Sequence, residues 1–353
     1  MVAVGDSFAG HVIERVLGHG GMGTVYLAKH PRLPRSIALK LLHRELSADP
    51  DVRRRFEREA DIVAGLEHPS IVGILDRGTD DDQLWISMPF IRGTDASRLR
   101  ADEVSAQRAT RIITEIGDAL DYAHRNGVLH RDVKPANILL TAAGDGRPER
   151  AVLTDFGIAR VVDSSRLTPA GTVSATLAYA SPEQLLGDTV DERSDQYSLA
   201  CTLYSLLAGS PPYRATHPGR VITGHISQPM PRITEQRADL PRELDEVLAR
   251  AAAKNAADRY PNCNDFATAA RFSLRPLPPV TPQAPAPPGP RTSPALTMPA
   301  REREADTVVT TTTQPHEPIT AREIAYWALA VIATVGILGA AWALIGAYLS
   351  AFL

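Results

Sequence analysis

The chain is short of cysteine and carries no surplus of either charge, and each shortage closes off a class of protein. Its two cysteines, Cys201 and Cys263, stand 62 positions apart with no CxxC and no histidine pairing. That argues against a disulfide framework or a zinc site and favours a reducing compartment. Lys and Arg total 38 against 41 Asp and Glu, a net charge of -3, so no nucleic-acid partner is expected. The opening residues Met1-Val2-Ala3-Val4-Gly5-Asp6 hold neither a basic stretch nor a long apolar run, and no signal peptide is expected. What remains is a chain of 353 residues, room for one large or two medium domains around a sizeable core.

Charge is also missing from residues 324–353, thirty in a row. A helix of that length would measure about 45 Å, against a hydrocarbon core of roughly 30 Å. The segment reads as a C-terminal transmembrane helix, tilted or with its ends among headgroups. Tyr326, Trp327 and Tyr348 stand as interfacial anchors. Arg322 precedes the span, so the bulk of the chain is expected on the cytoplasmic side of the membrane. Ahead of it, residues 273–321 read as a disordered juxtamembrane linker, with twelve prolines between Pro276 and Pro318. The plain reading of the linker is a spacer. A sharper one notes that Glu302, Glu304 and Asp306 precede Thr307 and Thr310 to Thr313, a site where phosphorylation could dock a phosphothreonine-binding partner.

The densest chemistry lies in Val128-Leu129-His130-Arg131-Asp132-Val133-Lys134-Pro135-Ala136-Asn137-Ile138-Leu139-Leu140. A carboxylate, an ammonium and a carboxamide share six positions between apolar flanks. Such a loop can hold a base near a hydroxyl, a cation near a phosphate and an oxygen ligand near a metal ion. Phosphoryl transfer needs those parts, because its catalysis is mostly positioning and charge neutralisation. The stretch resembles the catalytic loop of eukaryotic-type protein kinases, with Val133 for the usual leucine. With Gly20-Gly21-Met22-Gly23, it looks most like the bacterial membrane-anchored Ser/Thr kinases, especially those of actinobacteria. The resemblance covers residues 11–272. It implies an α+β, bilobal kinase fold: a five-stranded sheet with one helix over 11–88, a helical lobe over 92–272, and ATP between them.

The remaining motifs follow in kinase order. Leu17-Gly18-His19-Gly20-Gly21-Met22-Gly23-Thr24-Val25 is a glycine-rich pattern whose amides can approach phosphate oxygens without Cβ obstruction. Alone it is weak, since the dinucleotide-binding fold uses the same spacing. Here β-like residues and then Ala38-Leu39-Lys40 follow. Lys40 would contact the α- and β-phosphates. Asp49-Pro50 is a helix start, and Glu59 shares the apolar face of Val52, Phe56 and Val63, where a carboxylate needs a partner. Lys40 is the expected one. His68 to Val72 and Gln83 to Met88 read as the two strands that close the small lobe. By resemblance the Pro89 carbonyl and Ile91 amide bond adenine between walls of Leu17, Val25, Ala38 and Leu139, with Met88 guarding the space behind.

Asp155, eighteen residues past Asn137, joins it in the expected Mg²⁺ site, with Mn²⁺ as the alternative ion. The loop from Gly157 to Pro182 offers Thr168, Thr172 and Ser174 for activating phosphorylation, gripped by Arg131. The Thr176 hydroxyl is expected to bridge Asp132 and Lys134, as in Ser/Thr kinases, although Ala175 replaces the customary glycine. Asp195 matches the aspartate under the catalytic loop, Arg259 matches the partner of Glu183, and His130 reads as a packed core residue. Protein substrates are implied. Leu33 and Asp76 match small-lobe homodimer positions of the family, but Gly10 stands where a basic residue is expected. The chain ends within its span, so no extracytoplasmic sensor is expected. Two other classes are a pseudokinase scaffold, which would lose Lys40, Asp132 or Asp155, and an adaptor acting through its threonines.

Overall fold

A computed structural model describes residues 2–144, 146, 148–156 and 177–275. Thr168, Thr172, Ser174, Thr176, the linker beyond Arg275 and the uncharged segment 324–353 lie outside the described residues. Among the described residues no helix is long and apolar enough to cross a membrane.

The small lobe is an antiparallel sheet of six strands rather than five. They are β1 (Ser7–Phe8), β2 (His11–Gly20), β3 (Gly23–Lys29), β4 (Ser36–Leu42), β5 (Asp76–Asp80) and β6 (Gln83–Pro89), in the order β1-β2-β3-β4-β6-β5. The extra strand is β1, only two residues long, pairing Ser7 with Val12 and Phe8 with His11. Its burial of Phe8 beside Ile13, Tyr26 and Trp85 explains why so short a piece stays in the sheet. The expected strand over 68–72 is not one. Pro69 has no N–H to give a ladder, and the Val72 amide bonds Leu153 O at 2.9 Å while Leu153 N–H bonds Ser70 O at 2.8 Å. The segment is tied to the other lobe, and the edge strand forms later, at Asp76.

Two helices follow β4: one turn, α1 (Arg44–Ser47), and α2 (Pro50–Ala64). The Asp49 carboxylate caps α2 by accepting from the amides of Asp51 and Val52, and Pro50 opens its first turn. Val52, Phe56, Ala60 and Val63 form its buried face.

The large lobe begins with three short strands, β7 (Gly93–Asp95), β8 (Ile138–Thr141) and β9 (Ala151–Leu153). Its helices are α3 (Ala106–Arg125), α4 (Pro182–Leu186), α5 (Glu192–Ala208), α6 (Pro218–Ser227), α7 (Arg242–Ala251) and α8 (Cys263–Ser273). The Ser105 hydroxyl caps α3 through the Arg108 amide, and Ile112, Ile113, Ile116, Leu120 and Ala123 are fully buried against α5 and α8. Helix α5 is buried almost all round, so it is the lobe's axial helix. Cys201 lies on it and Cys263 opens α8, both buried free thiols.

Candidate active site

The loop between α3 and β8 hangs from one carboxylate. Asp195, in the first turn of α5 and 1 % exposed, accepts the amides of His130 at 2.8 Å and Arg131 at 2.6 Å. It also meets His124 Nε2 at 2.8 Å. Burial pushes the Asp195 carboxyl up, but the hydrogen bond and charge of His124, with help from His130, reverse this and hold it below the usual carboxylate value. Arg131 sits at φ 63, a left-handed conformation costly for a side chain with a Cβ. The Asp195 bond to its amide and the Gln184 bond to its carbonyl both anchor it. His124 was not legible as a site residue: its signal, a polar side chain on the α3 face that carries Leu120 and Ala123, also suits an ordinary solvated position.

His130 is fully buried and oriented at both ring nitrogens. Nε2 faces the Thr154 carbonyl at 2.9 Å and must donate; Nδ1 accepts the Asp132 amide at 3.2 Å. Those partners select the Nε2–H tautomer. Its ring packs on Phe156 with centroids 4.7 Å apart, so the core role read from sequence is the role it has here.

Asp132, Lys134 and Asn137 converge. Lys134 Nζ lies 2.7 Å from Asp132 Oδ2, and Asn137 Nδ2 donates to the same oxygen at 3.0 Å and to the Asp132 carbonyl at 2.8 Å. Among the described residues nothing bonds to Asp132 Oδ1. Asn137 is buried, and its amide donor is committed to Asp132, so its carbonyl oxygen is left as an acceptor. Asp155 stands at φ 60, and its Oδ1 is hydrogen-bonded to Lys40 Nζ. Burial raises the Asp155 carboxyl; the Lys40 charge and hydrogen bond, then His130 and Lys134, outweigh it and hold it below the usual carboxylate value.

The Lys40–Asp155 pair is a departure from the expected Lys40–Glu59 pair. Among the described residues no ion pair joins Lys40 to Glu59. Burial raises the Glu59 carboxyl, and the nearby charges of Arg131, Arg58 and Arg55 only partly offset it. Lys40 lies on β4, and its ammonium meets Asp155 rather than Glu59.

Above these groups β2 and β3 close through Gly21 and Met22, with Gly20 paired to Gly23. His43 holds this tip: its amide donates to Met22 O at 2.9 Å, and its Nε2 lies 3.3 Å from Gly20 O. His19 and Thr24 brace the hairpin across the pair at 3.2 Å. Gly23 is required sterically, since a Cβ there would sit 1.9 Å from Leu41 O. Gly23→Ala is expected to destabilise the domain by roughly 1–3 kcal/mol, read by chemical denaturation, and to raise the KM for nucleotide. Unchanged stability would show that β3 shifts freely at this end.

Ala38, Ile91 and Leu139 pack against the apolar cluster that holds Met88, while Leu17 on β2 and Val25 on β3 are half-buried. Behind Met88 lies a small apolar cavity bounded by Lys40, Phe56, Val63, Ile86 and Phe156. Below the loop, α4 reports to it directly: Gln184 Nε2 donates to Arg131 O at 3.1 Å. Glu183 beside it receives both Arg259 Nη1 at 2.8 Å and Nη2 at 2.9 Å, plus the Ser194 hydroxyl.

Residues 11–271 match the family model "Protein kinase domain". The chain belongs to the protein kinase family. It lies among the bacterial serine/threonine kinases: it is 49% identical over 276 residues to the serine/threonine-protein kinase PknJ of Mycobacterium tuberculosis, across 77% of this chain and 47% of that protein. It is 50% identical over 273 residues to PknF of the same organism, across 76% of this chain and 57% of that protein. The chain thus spans about half the length of the curated relatives it matches. Among solved structures, the Mycobacterium tuberculosis PknI kinase domain superposes with a TM-score of 0.63 at 40% identity, covering 77% of this chain and 100% of that one. Kinases use ATP with a divalent cation, and the residues here fit both. Asn137 offers a spare carbonyl oxygen and Asp155 an ionised carboxylate, the hard oxygen donors such a cation takes.

Proposed function

We propose that this kinase transfers the γ-phosphoryl group of ATP to Ser and Thr hydroxyls of protein substrates, and to hydroxyls on its own activation loop. The observation that carries the reading is the Asp132 carboxylate. One oxygen is tied to Lys134 and Asn137, and among the described residues no hydrogen bond is made to the other. Asp132 Oδ1 would hold the acceptor hydroxyl and take its proton as the O–P bond forms. Lys134, already beside Asp132, would face the phosphoryl group in transfer and offset its charge. Asn137 and Asp155 would hold Mg²⁺, or Mn²⁺, whose charge offsets that of the phosphates. Lys40 would exchange Asp155 for the α- and β-phosphates. The Pro89 carbonyl and Ile91 amide would receive adenine between Leu17, Val25, Ala38 and Leu139, under the amides of Gly18 to Gly23. The pseudokinase scaffold is disfavoured because Lys40, Asp132 and Asp155 are all present.

The uncharged run 324–353 supports a single membrane anchor with the kinase domain on the cytoplasmic face. Leu33, 49 % exposed on the small lobe, and the exposed Asp76 support a homodimer there. Thr307 and Thr310 to Thr313 would present phosphate to a phosphothreonine-binding partner. Phosphosite mapping of the full chain after Mg-ATP, beside an Asp132→Asn copy, tests the activity. Phosphate on Thr168, Thr172 or Ser174 in the unmodified chain alone is the expected result, with Arg131 as its grip. ATP binding without phosphate on either protein would favour the scaffold.

A further inference from the structure

Away from the nucleotide cleft, one ammonium is held in an unusual place. Lys254, just after α7, points its Nζ into the base of α6. It donates to the His225 carbonyl at 2.8 Å and the Gly224 carbonyl at 3.3 Å, both in the last turn of that helix. It also donates to the Tyr213 hydroxyl at 3.0 Å and lies 3.4 Å from that of Tyr197. Its charge sits 4.9 Å from the Tyr213 ring centroid and 5.6 Å from that of Tyr197. A cation at a helix C-terminus satisfies carbonyls that otherwise lack partners and opposes the dipole.

The surroundings make this a joint rather than a surface cap. Tyr197, fully buried on α5, meets His225 Nδ1 at 3.0 Å, and the Tyr213 hydroxyl donates to Gln228 O at 2.8 Å. Gly224 lets the helix lie against Tyr213, since a Cβ there would be 2.7 Å from a ring carbon. Arg259 covers the Tyr197 ring at 5.0 Å and donates to Lys254 O at 3.3 Å while it grips Glu183 of α4. Helix α4 packs on α6 and, through Gln184, touches the catalytic loop. The α4–α6 pair is thereby joined to the loop that carries Asp132.

We propose that Lys254 is a positioning residue for the protein acceptor: it locks the end of α6 to α5 and Tyr213, and so fixes the surface that α4 and α6 present beside Asp132. The inference rests on the kinase reading above. Burial lowers the Lys254 ammonium to about 8, with Arg259 adding to the effect and Cys201 opposing it. The titratable or charged groups that face it are Tyr197 and Cys201 from α5, Tyr213 from the connection to α6, His225 from α6, and Arg259. His225 stays neutral near pH 8, because burial first and Lys254 second push it down to about 4. The lock thus loses its charge as pH rises through about 8.

The test is steady-state transfer by the full chain onto an Asp132→Asn copy of the same chain as acceptor. Lys254→Met is expected to raise the KM for that acceptor about tenfold, with the KM for ATP within about twofold of the unmodified chain. Lys254→Arg, charged at all pH values used, is expected to recover most of the loss. It should also abolish the rise in acceptor KM that the unmodified chain shows above pH 8. Equal effects on both KM values, or no effect on either, overturn the proposal. If Lys254→Met does not fold, the pH profile of Lys254→Arg decides, and a profile that still rises above pH 8 overturns it. No transfer by the unmodified chain would overturn the kinase reading and this proposal with it, whereas a normal unmodified chain beside a normal Lys254→Met overturns only the positioning role.

Discussion

Asp132→Asn is expected to lower phosphoryl transfer by about 10²–10⁴-fold while leaving ATP affinity nearly unchanged. The geometry makes this substitution a clean removal of one capacity. An asparagine carbonyl in place of Oδ2 still accepts from Lys134 and Asn137, so the loop keeps its internal bonds. Those two donors orient the new amide with its NH₂ group where Oδ1 stood. That group cannot accept a proton from an incoming hydroxyl. The backbone is held independently, since Asp195 grips the amides of His130 and Arg131 rather than any atom of Asp132. Radiolabel transfer to a protein acceptor, paired with equilibrium nucleotide binding, checks both halves. Transfer at more than about a tenth of the unmodified rate would remove Asp132 from the role of base.

Arg259→Met is expected to cost about 3–5 kcal/mol of domain stability, a fall in melting temperature of roughly 6–20 °C. The Arg259 side chain is fully buried, and every direction it faces holds an acceptor. It donates to both oxygens of Glu183 and to the carbonyls of Ala253, Arg193 and Lys254. Methionine fills much of the volume but leaves a carboxylate and three carbonyls without that donor. The same pair carries an acid dependence. Burial raises the Glu183 carboxyl, but the Arg259 and Ser194 hydrogen bonds outweigh it and bring it down to about 2, from 4.5. A depressed folded-state value means the stabilisation is complete above 4.5 and is lost as pH falls toward 2. In Arg259→Met this part of the acid loss should vanish, so the two proteins converge in stability between pH 4.5 and pH 2. Thermal melts at several pH values measure it; a fall of under about 2 °C at pH 7 would show the site relaxes around the lost guanidinium.

Much of this was legible because it is local or strictly ordered along the chain. Asp49-Pro50 predicts its own helix start from side-chain chemistry alone, and the α3 face follows from spacing. The catalytic loop is legible because Asp132, Lys134 and Asn137 are within six positions, so their convergence needs only one turn after Pro135. The strand at 68–72 misled because its apolar residues suit a strand, while its hydrogen bonds go to Leu153, far along the chain. Strand β1 was missed because two residues carry no periodicity at all.

By itself, the sequence determined which groups are available and their order: a glycine hairpin, Lys40, the Asp132 loop, Asp155, Glu183 and Arg259. These suffice to name the family, because each motif's chemistry is carried by residues close in sequence. The tertiary structure decided the pairings. Lys40 was expected to meet Glu59 from β4, and the fold brings it to Asp155 instead, 115 positions away. Asp195 gathers His124 from α3 together with the loop backbone, and Lys254 gathers α5, α6 and Tyr213. Partners tens of residues apart depend on how whole helices pack, and helix packing is a property of the assembled core that no short stretch of sequence contains.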